Sequence, residues 1–302
     1  MPLILGSTPS RRDFLRTAAL SAGAMLAAGA CAGLPAKRRS SGKPIRWALM
    51  ADTHVTLDPK EIQHGVNIDD NFKKAVAQII AALPEGVIIA GDIARNEGKI
   101  DDYRMFQQLV EPIASRMPLA VAFGNHDDRE NFRKVITLSK DGAAAPVKGK
   151  RVRVIESAGL RLVILDSLLS SKVTGGLLGK DQRDWLQKFL DQPDQRPTFL
   201  FFHHNMGDRD GCLLDGDRLL KIILPRKQVK AIFYGHSHVY AYAKIEDLHL
   251  INLPAVGYSF TDKEPLGWVD ARLTAENGNF TLHAFASNTK DNGKTTSLVW
   301  RG

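Results

Sequence analysis

Five short apolar runs in this chain end alike, in polar side chains of the kinds that hold metal ions. IRWALM (45–50) leads into Ala51-Asp52-Thr53-His54, and GVIIA (86–90) into Gly91-Asp92. PLAVAF leads into Gly124-Asn125-His126-Asp127, TFLFF into His203-His204, and VKAIFY into Gly235-His236-Ser237-His238. A sixth run, LRLVILD, ends at Asp166 without such a cluster. Six of the nine histidines fall in these blocks. Any one of them, alone, would read as an ordinary structural histidine; their shared position at the ends of apolar runs carries the inference.

Between the runs lie stretches of helical period, so the chain reads as α/β. Phe72, Val76, Ile79, Ile80 and Leu83 repeat at helical spacing behind Asp69 and Asp70, which are placed to cap the helix start. Tyr103, Phe106, Val110 and Ile113 repeat the pattern, as do Trp185, Leu186, Phe189 and Leu190, and then Leu219, Leu220 and Ile223. Stripes of this kind are core packing, and none is assigned a ligand role. In a sheet covered on both faces, ligands bind in the crevice outside the carboxyl ends of the strands, where the five blocks can converge.

Carboxylates, an amide oxygen and several imidazoles form a mixed set of hard and borderline donors. Such a set suits divalent Mn, Fe or Zn better than Ca or Mg. One ion takes about four to six ligands, so this set is too large for one and fits two. Asp92, alone on its loop after a glycine, is the natural bridge between them. Two ions clamp a phosphoryl oxygen and stabilise both the attacking and the leaving oxygen of an in-line displacement, which is the chemistry of phosphoester hydrolysis.

The ordered blocks D-x-H, G-D, G-N-H-D, H-H and G-H-x-H resemble the calcineurin-like metallophosphoesterase superfamily, across residues 45 to 260. GNHDDRENFRK and GGLLGKDQRDWLQKFL look most like the branch of class III cyclic nucleotide phosphodiesterases and glycerophosphodiesterases. The resemblance implies that Asp52, His54 and His238 hold one ion, that Asn125, His203 and His236 hold the other, and that Asp92 bridges. It implies that His126 faces the substrate as a catalytic group, oriented by Asp127. It also implies a four-layer αββα sandwich of two mixed sheets, the strands around HLINLPAV, WVDARLT and FTLHAFA completing the second sheet. The expected activity is hydrolysis of a small phosphodiester, of cyclic nucleotide or glycerophosphodiester type, by hydroxide generated at the metal pair. A phosphomonoesterase or nucleotidase of the same fold stays open, as does a binding module that has lost catalysis.

Several features qualify that expectation. Relatives commonly carry two prolines after the paired histidines, where this chain has Asn205 and Met206 and then GDRDGCLLDGD. Ile93, Ala94 and Arg95 follow Asp92, without the tyrosine of purple acid phosphatases. Ser237, His236 and Asp52 do not make a serine hydrolase, because no G-x-S-x-G elbow occurs. The roles of His204, Asp128 and Arg129 stay open between site and scaffold. Gly124 is read as permitting a sharp exit from its strand. His64, His249 and His283 are read as structural or surface residues.

Residues 1–36 read as a secretory signal, with Arg11-Arg12 ahead of a weakly apolar Ala- and Gly-rich run; the pair resembles a twin-arginine signal, read by the machinery that exports folded proteins. Small residues directly before Cys31 also resemble a lipoprotein cleavage box, without the usual leucine where Ala28 stands. Only with a lipid on Cys31 is a membrane anchor expected. Residues 37–44 read as a basic linker and 45–302 as one domain with a periplasmic or other extracytoplasmic destination. The formal charge of +8 is misleading: eight of the 41 basic residues and one of the 33 acidic ones precede residue 47. The nearly neutral body gives no support for a nucleic-acid polymer as partner. Two cysteines make no disulfide framework. Nothing in the sequence sets the oligomeric state.

Overall fold

The computed structural model describes residues 43–136 and 146–302. The leader, Cys31 and nearly all of the basic linker lie outside the described residues. The chain begins with β1 (Ile45–Met50), a hairpin of β2 (Ile62–Gln63) and β3 (Val66–Asn67), helix α1 (Ile68–Ala82), β4 (Gly86–Ala90), α2 (Ile100–Ala114), β5 (Leu119–Ala122) and α3 (Arg129–Val135). Next come β6 (Arg153–Ser157), β7 (Leu160–Ile164), α4 (Lys180–Leu190), β8 (Thr198–Phe201), α5 (Gly216–Ile223) and β9 (Val229–Tyr234). The last strands are β10 (Ala241–Ile245), β11 (Leu248–Asn252), β12 (Pro265–Leu273), β13 (Asn277–Ser287) and β14 (Thr295–Val299).

Two six-stranded mixed sheets result, in the orders β14-β13-β12-β1-β4-β5 and β10-β11-β9-β8-β7-β6. Within the first, β1, β4 and β5 are parallel, and within the second β7, β8, β9 and β11 are. Alternation along each strand decides the layering, because successive side chains point to opposite faces. Trp47, Leu49, Ile88, Ala90, Phe199, Phe201, Ala231 and Phe233 meet between the sheets. From the opposite faces, Ala48, Met50, Val87 and Ile89 pack under α1 and α2, while Leu200, Val229 and Ile232 pack under α4 and α5. Three cores thus separate four layers, helix, sheet, sheet, helix. Strands covered on both sides read as continuous apolar runs, which is how these appear in the sequence.

Two local expectations are corrected. Asp69 and Asp70 lie in the first turn of α1, and the cap is Asn67, whose Oδ1 accepts from the Asp70 amide at 2.8 Å. Of the three late strands expected to complete the second sheet, only β11 joins it; β12 and β13 extend the first sheet beyond β1. Antiparallel pairing of β12 with β1 sets this, and Val269, Ala271, Leu273, Phe280 and Leu282 then enter the core between the sheets, while Trp268 turns to the helix side. Cys212 is a buried free thiol.

The packing between the sheets centres on Phe201 and Phe233, whose rings stack with centroids 4.6 Å apart and planes 8° from parallel. Phe233 is fully buried. Phe233→Ala is expected to lower stability by about 3–5 kcal/mol, measured as the shift of the urea midpoint at constant slope.

Candidate metal centre

The parallel strands of both sheets point their carboxyl ends to one crevice, and the loops there are locked together before any side chain is considered. The Asp52 amide donates to Gly91 O at 3.0 Å, the His54 amide to Asp92 O at 2.9 Å, and the Gly235 amide to His203 O at 3.0 Å. The turns are tight enough to force left-handed backbone on Asp52 (φ 53°), His54 (46°), Asp92 (49°), His236 (74°) and His238 (56°). L-residues adopt this region at a cost of roughly 1–2 kcal/mol each. Five of the seven expected metal ligands therefore carry backbone strain, the pattern of a site whose geometry is imposed by its surroundings.

Glycines in the blocks make room for ligands. A Cβ on Gly124 would lie 2.1 Å from Asp92 Oδ1, and one on Gly235 would lie 2.4 Å from Asp52 Oδ2. Gly124 is thus required by the close approach of Asp92, and the strand leaves it through a tight turn closed by the Asp127 amide on Gly124 O at 3.2 Å; its φ is not positive.

Backbone carbonyls fix the imidazoles. His54 Nδ1 lies 3.2 Å from Arg95 O, His238 Nδ1 2.6 Å from Tyr258 O and His203 Nδ1 2.8 Å from Ala90 O. Each Nδ1–H donates to its carbonyl, which leaves Nε2 as the coordinating atom. His54 and His238 then face each other with Nε2 atoms 3.1 Å apart. Burial holds His54 down to about 3, so its ring is neutral. The two Nε2 atoms converge beside the Asp52 carboxylate, 3.4 Å from His238 Nε2, as a group of donor atoms that one cation would share.

The second pair is His203 Nε2 and His236 Nδ1, 3.2 Å apart. Burial opposes charge on His203, but the Asp92 carboxylate 3.2 Å away and its hydrogen bond raise it to about 9. A proton on His203 Nε2 stands where a cation would. Burial lowers His236 to about 4. Burial likewise penalises charge on Asp92, yet the surrounding imidazoles, His203 first, hold the carboxylate well below its usual range.

Asp92 occupies the middle. Its Oδ2 lies 3.2 Å from His203 Nε2, 3.8 Å from His54 Nε2 and 3.9 Å from His126 Nε2. Donor atoms gather as Asp52/His54/His238, Asp92/His203/His236 and His54/Asp92/His126. Asn125 Oδ1 is buried without a hydrogen-bond partner in the described structure, an orphaned acceptor whose burial is costly unless an electrophile meets it. The donor set and its orphaned oxygen fit divalent metal ions.

His126 differs from these residues in exposure: its side chain is 28% exposed, against 2% for Asp92. Its amide donates to Asp92 Oδ1 at 2.9 Å, and its Nδ1 donates to Asn96 O at 3.0 Å, so Nε2 faces the cavity. The orienting partner is therefore Asn96, not Asp127. Asp127 is fully buried and accepts from the amides of Ile93, Ala94 and Gly124 at 2.9–3.2 Å and from Tyr103 Oη at 3.2 Å. Burial, then the charge of Asp92, raises it to about 7. It ties the G-N-H-D turn to the G-D loop.

The open residues also settle. Asp128 caps α3, accepting from the Asn131 amide at 2.8 Å. Arg129 makes two 2.7 Å bonds to buried Asp166 and a third to Leu168 O, so it is scaffold. His204 Nδ1 lies 2.8 Å from Ser167 Oγ, which also accepts from the amides of His203 and His204. Ser167 thus holds both histidines in place, and the His204 ring packs 5.0 Å from those of His203 and His236. Sequence reasoning missed Ser167, Asn96 and Tyr258 as site-builders. The latter two act through main-chain carbonyls, which carry no side-chain signal; Tyr103 was legible only as core, although its hydroxyl bonds Asp127 and accepts from the Asp128 amide at 2.7 Å.

The family model for calcineurin-like phosphoesterases matches residues 45–240. The chain belongs to this family. It is 30% identical over 201 residues to a probable cyclic nucleotide phosphodiesterase of Rhodococcus erythropolis, a match that covers 63% of each chain, so this chain spans less than two thirds of that relative. It is 26% identical over 230 residues to a glycerophosphodiester phosphodiesterase of Enterobacter lignolyticus, covering 72% of this chain and 81% of the relative. Its fold superposes on a dimetal phosphatase of Danio rerio with a TM-score of 0.65 and 15% identity, over 85% of this chain and 98% of that one.

Gly235→Ala is expected to abolish metal binding by Asp52 while the far-ultraviolet circular dichroism stays native, read by metal analysis after gel filtration. Metal uptake should also release the His203 proton. With a metal-free value of about 9, that proton is held at pH 7 and absent well above pH 9. Adding metal in weak buffer with an indicator dye should therefore release about one proton at pH 7 from His203, and the release should vanish as the starting pH rises through 9.

Proposed function

We propose that this protein is a dinuclear-metal phosphodiesterase that hydrolyses small phosphodiesters of the cyclic nucleotide or glycerophosphodiester type. The observation that carries the reading is the position of Asp92 Oδ2 between two histidine groups, with His126 Nε2 beside it and open to the cavity. Asp52, His54 and His238 would hold one ion, Asn125, His203 and His236 the other, and Asp92 both. Bound there, divalent ions would supply Lewis acidity toward a phosphoryl oxygen and lower the pKa of water.

The chain's own residues do the rest. The His126 ring, fixed by Asn96, is placed to bind a phosphoryl oxygen and, when both of its nitrogens carry protons, to give the one on Nε2 to the departing alkoxide while Nδ1–H stays on Asn96 O. The Asp127 anchor keeps the turn that carries it in register with Asp92. Buried imidazoles exclude bulk water from the inner wall, which strengthens each electrostatic contact at the phosphoryl group. The relatives named above favour a diester, and this carries the substrate class.

We further propose export in the folded state by the twin-arginine route. The Arg11-Arg12 pair and the apolar run behind it support this, and folded export suits a protein that loads metals first. Extracytoplasmic phosphodiesters are then the substrates it meets.

His126→Ala is expected to keep its metals and lose about 10²–10⁴-fold in turnover, whereas Asp92→Ala loses metal. Metal analysis beside kinetics on bis(4-nitrophenyl) phosphate checks both; a metal-depleted His126 variant would make that residue a ligand. A profile against cyclic nucleotides, glycerophosphodiesters and monoesters tests the substrate class, and a strong preference for monoesters overturns it.

A further inference from the structure

The cavity in front of the metal ligands has two unlike walls. One is polar, formed by Asp92, Asn125, His126 and His236. The other carries Tyr258 and Phe260, neither of which belongs to any of the five sequence blocks. We infer that Phe260 is a specificity-determining residue that stacks on a flat aromatic ring in the ester group of the substrate. This inference rests on the phosphodiesterase reading and deepens it.

Phe260 combines exposure with rigidity. It is 58% exposed, whereas its neighbours Tyr258 and His238 are 5% and 3% exposed. Rings bracket it: His238 at 4.6 Å and 31°, Tyr258 at 5.7 Å and 89°, and His64 at 5.7 Å and 75°. His64 is presented by the β2–β3 hairpin, whose turn residues His64 (φ 48°) and Gly65 (φ 81°) are both left-handed, as a two-residue hairpin loop demands. It also stacks on Tyr258 at 5.5 Å and 28°. Arg95 secures the hairpin through Glu61 Oε1 at 2.5 Å and Gln63 Oε1 at 2.9 Å.

The segment bearing Phe260 is also braced. The Gly257 amide donates to Asp52 O at 2.9 Å and the Val256 amide to Ala51 O at 3.0 Å. A solvent-exposed phenyl ring held this firmly beside phosphoryl-binding groups is a preorganised stacking platform, which costs little conformational entropy on binding. The cavity measures about 270 Å³. That is below the ~300–1,000 Å³ of sites for drug-sized ligands, room for a phosphoryl group and one ring-sized substituent. No Lys or Arg is among the described lining residues, so a second phosphate finds no counter-charge there. A flat, weakly polar ring is the group that this wall complements.

Such a ring has two sources, a nucleobase or a simple aryl ester, and the experiment separates them. The metal-loaded full chain, its Phe260→Leu variant and its Phe260→Tyr variant are assayed on adenosine 3′,5′-cyclic phosphate, methyl phenyl phosphate and the aliphatic diester glycerophosphoethanolamine. Leucine keeps apolar area and removes the ring face. In Phe260→Leu the kcat/KM of an aromatic diester relative to the aliphatic one should fall about tenfold, as expected for a lost stack, and Phe260→Tyr should restore it. A fall confined to the nucleotide identifies a nucleobase; a fall on methyl phenyl phosphate as well identifies any aryl ring. A proportional loss on all three substrates, or an unchanged ratio, overturns the inference.

Calorimetric binding of phenyl phosphate against methyl phosphate to the same metal-loaded proteins needs no turnover. A protein inert toward every diester fails the phosphodiesterase reading, yet still tests Phe260. Wild type should prefer the phenyl ester by about tenfold, and Phe260→Leu should erase the preference. Equal affinities in wild type overturn the inference independently, unless the fall in the diester ratio is confined to the nucleotide.

Discussion

The contact on which the rest of this molecule depends is that between His54 and His238, whose Nε2 atoms meet 3.1 Å apart after each ring has committed its Nδ1–H to a main-chain carbonyl. The two nitrogens converge on the Asp52 carboxylate, and burial denies them water. On the other side of Asp92, His203 and His236 make a comparable pair at 3.2 Å, where the Asp92 carboxylate favours a proton on His203. Both pairs are built for cations.

Holding acceptors so close requires a scaffold that does not yield. Two sheets sandwiched between helices supply it by delivering the five loops to one crevice and tying them through main-chain hydrogen bonds. Five ligands in left-handed backbone, at roughly 1–2 kcal/mol each, represent strain comparable with the ~5–15 kcal/mol net stability of a typical protein. The three-core packing tolerates that strain, and ligand binding to the folded state offsets it. Asp127 serves the same end: a buried carboxylate that accepts three amides and a tyrosine hydroxyl fixes the turn from which Asn125 and His126 project.

Much of this was legible in the sequence because the information is local. An apolar run ending in D-x-H or G-N-H-D reports a strand and the polar groups at its end, and continuous apolarity reports burial on both faces. The helical stripes were equally plain. What was not legible depends on distant partners. Asp127 adjoins His126 in sequence, which suggested contact, but its side chain turns to Ile93 and Ala94 while Asn96 takes the imidazole. The need for Gly124 arises from Asp92, 32 positions earlier in the numbering. The allegiance of β12 and β13 to the first sheet follows from pairing with β1, more than 200 residues away, and alternation alone does not choose between two equally apolar sheets. Phe260 carries no motif at all; its exposure beside the cavity exists only in the fold.

The central claim is that Asp92 joins two metal positions into one unit. Electron paramagnetic resonance of the metal-free protein titrated with Mn(II) addresses it directly. At two equivalents the account predicts the multiline signal of an exchange-coupled pair, which requires a shared ligand between the ions. A six-line spectrum of isolated, non-interacting Mn(II) at saturation would contradict it.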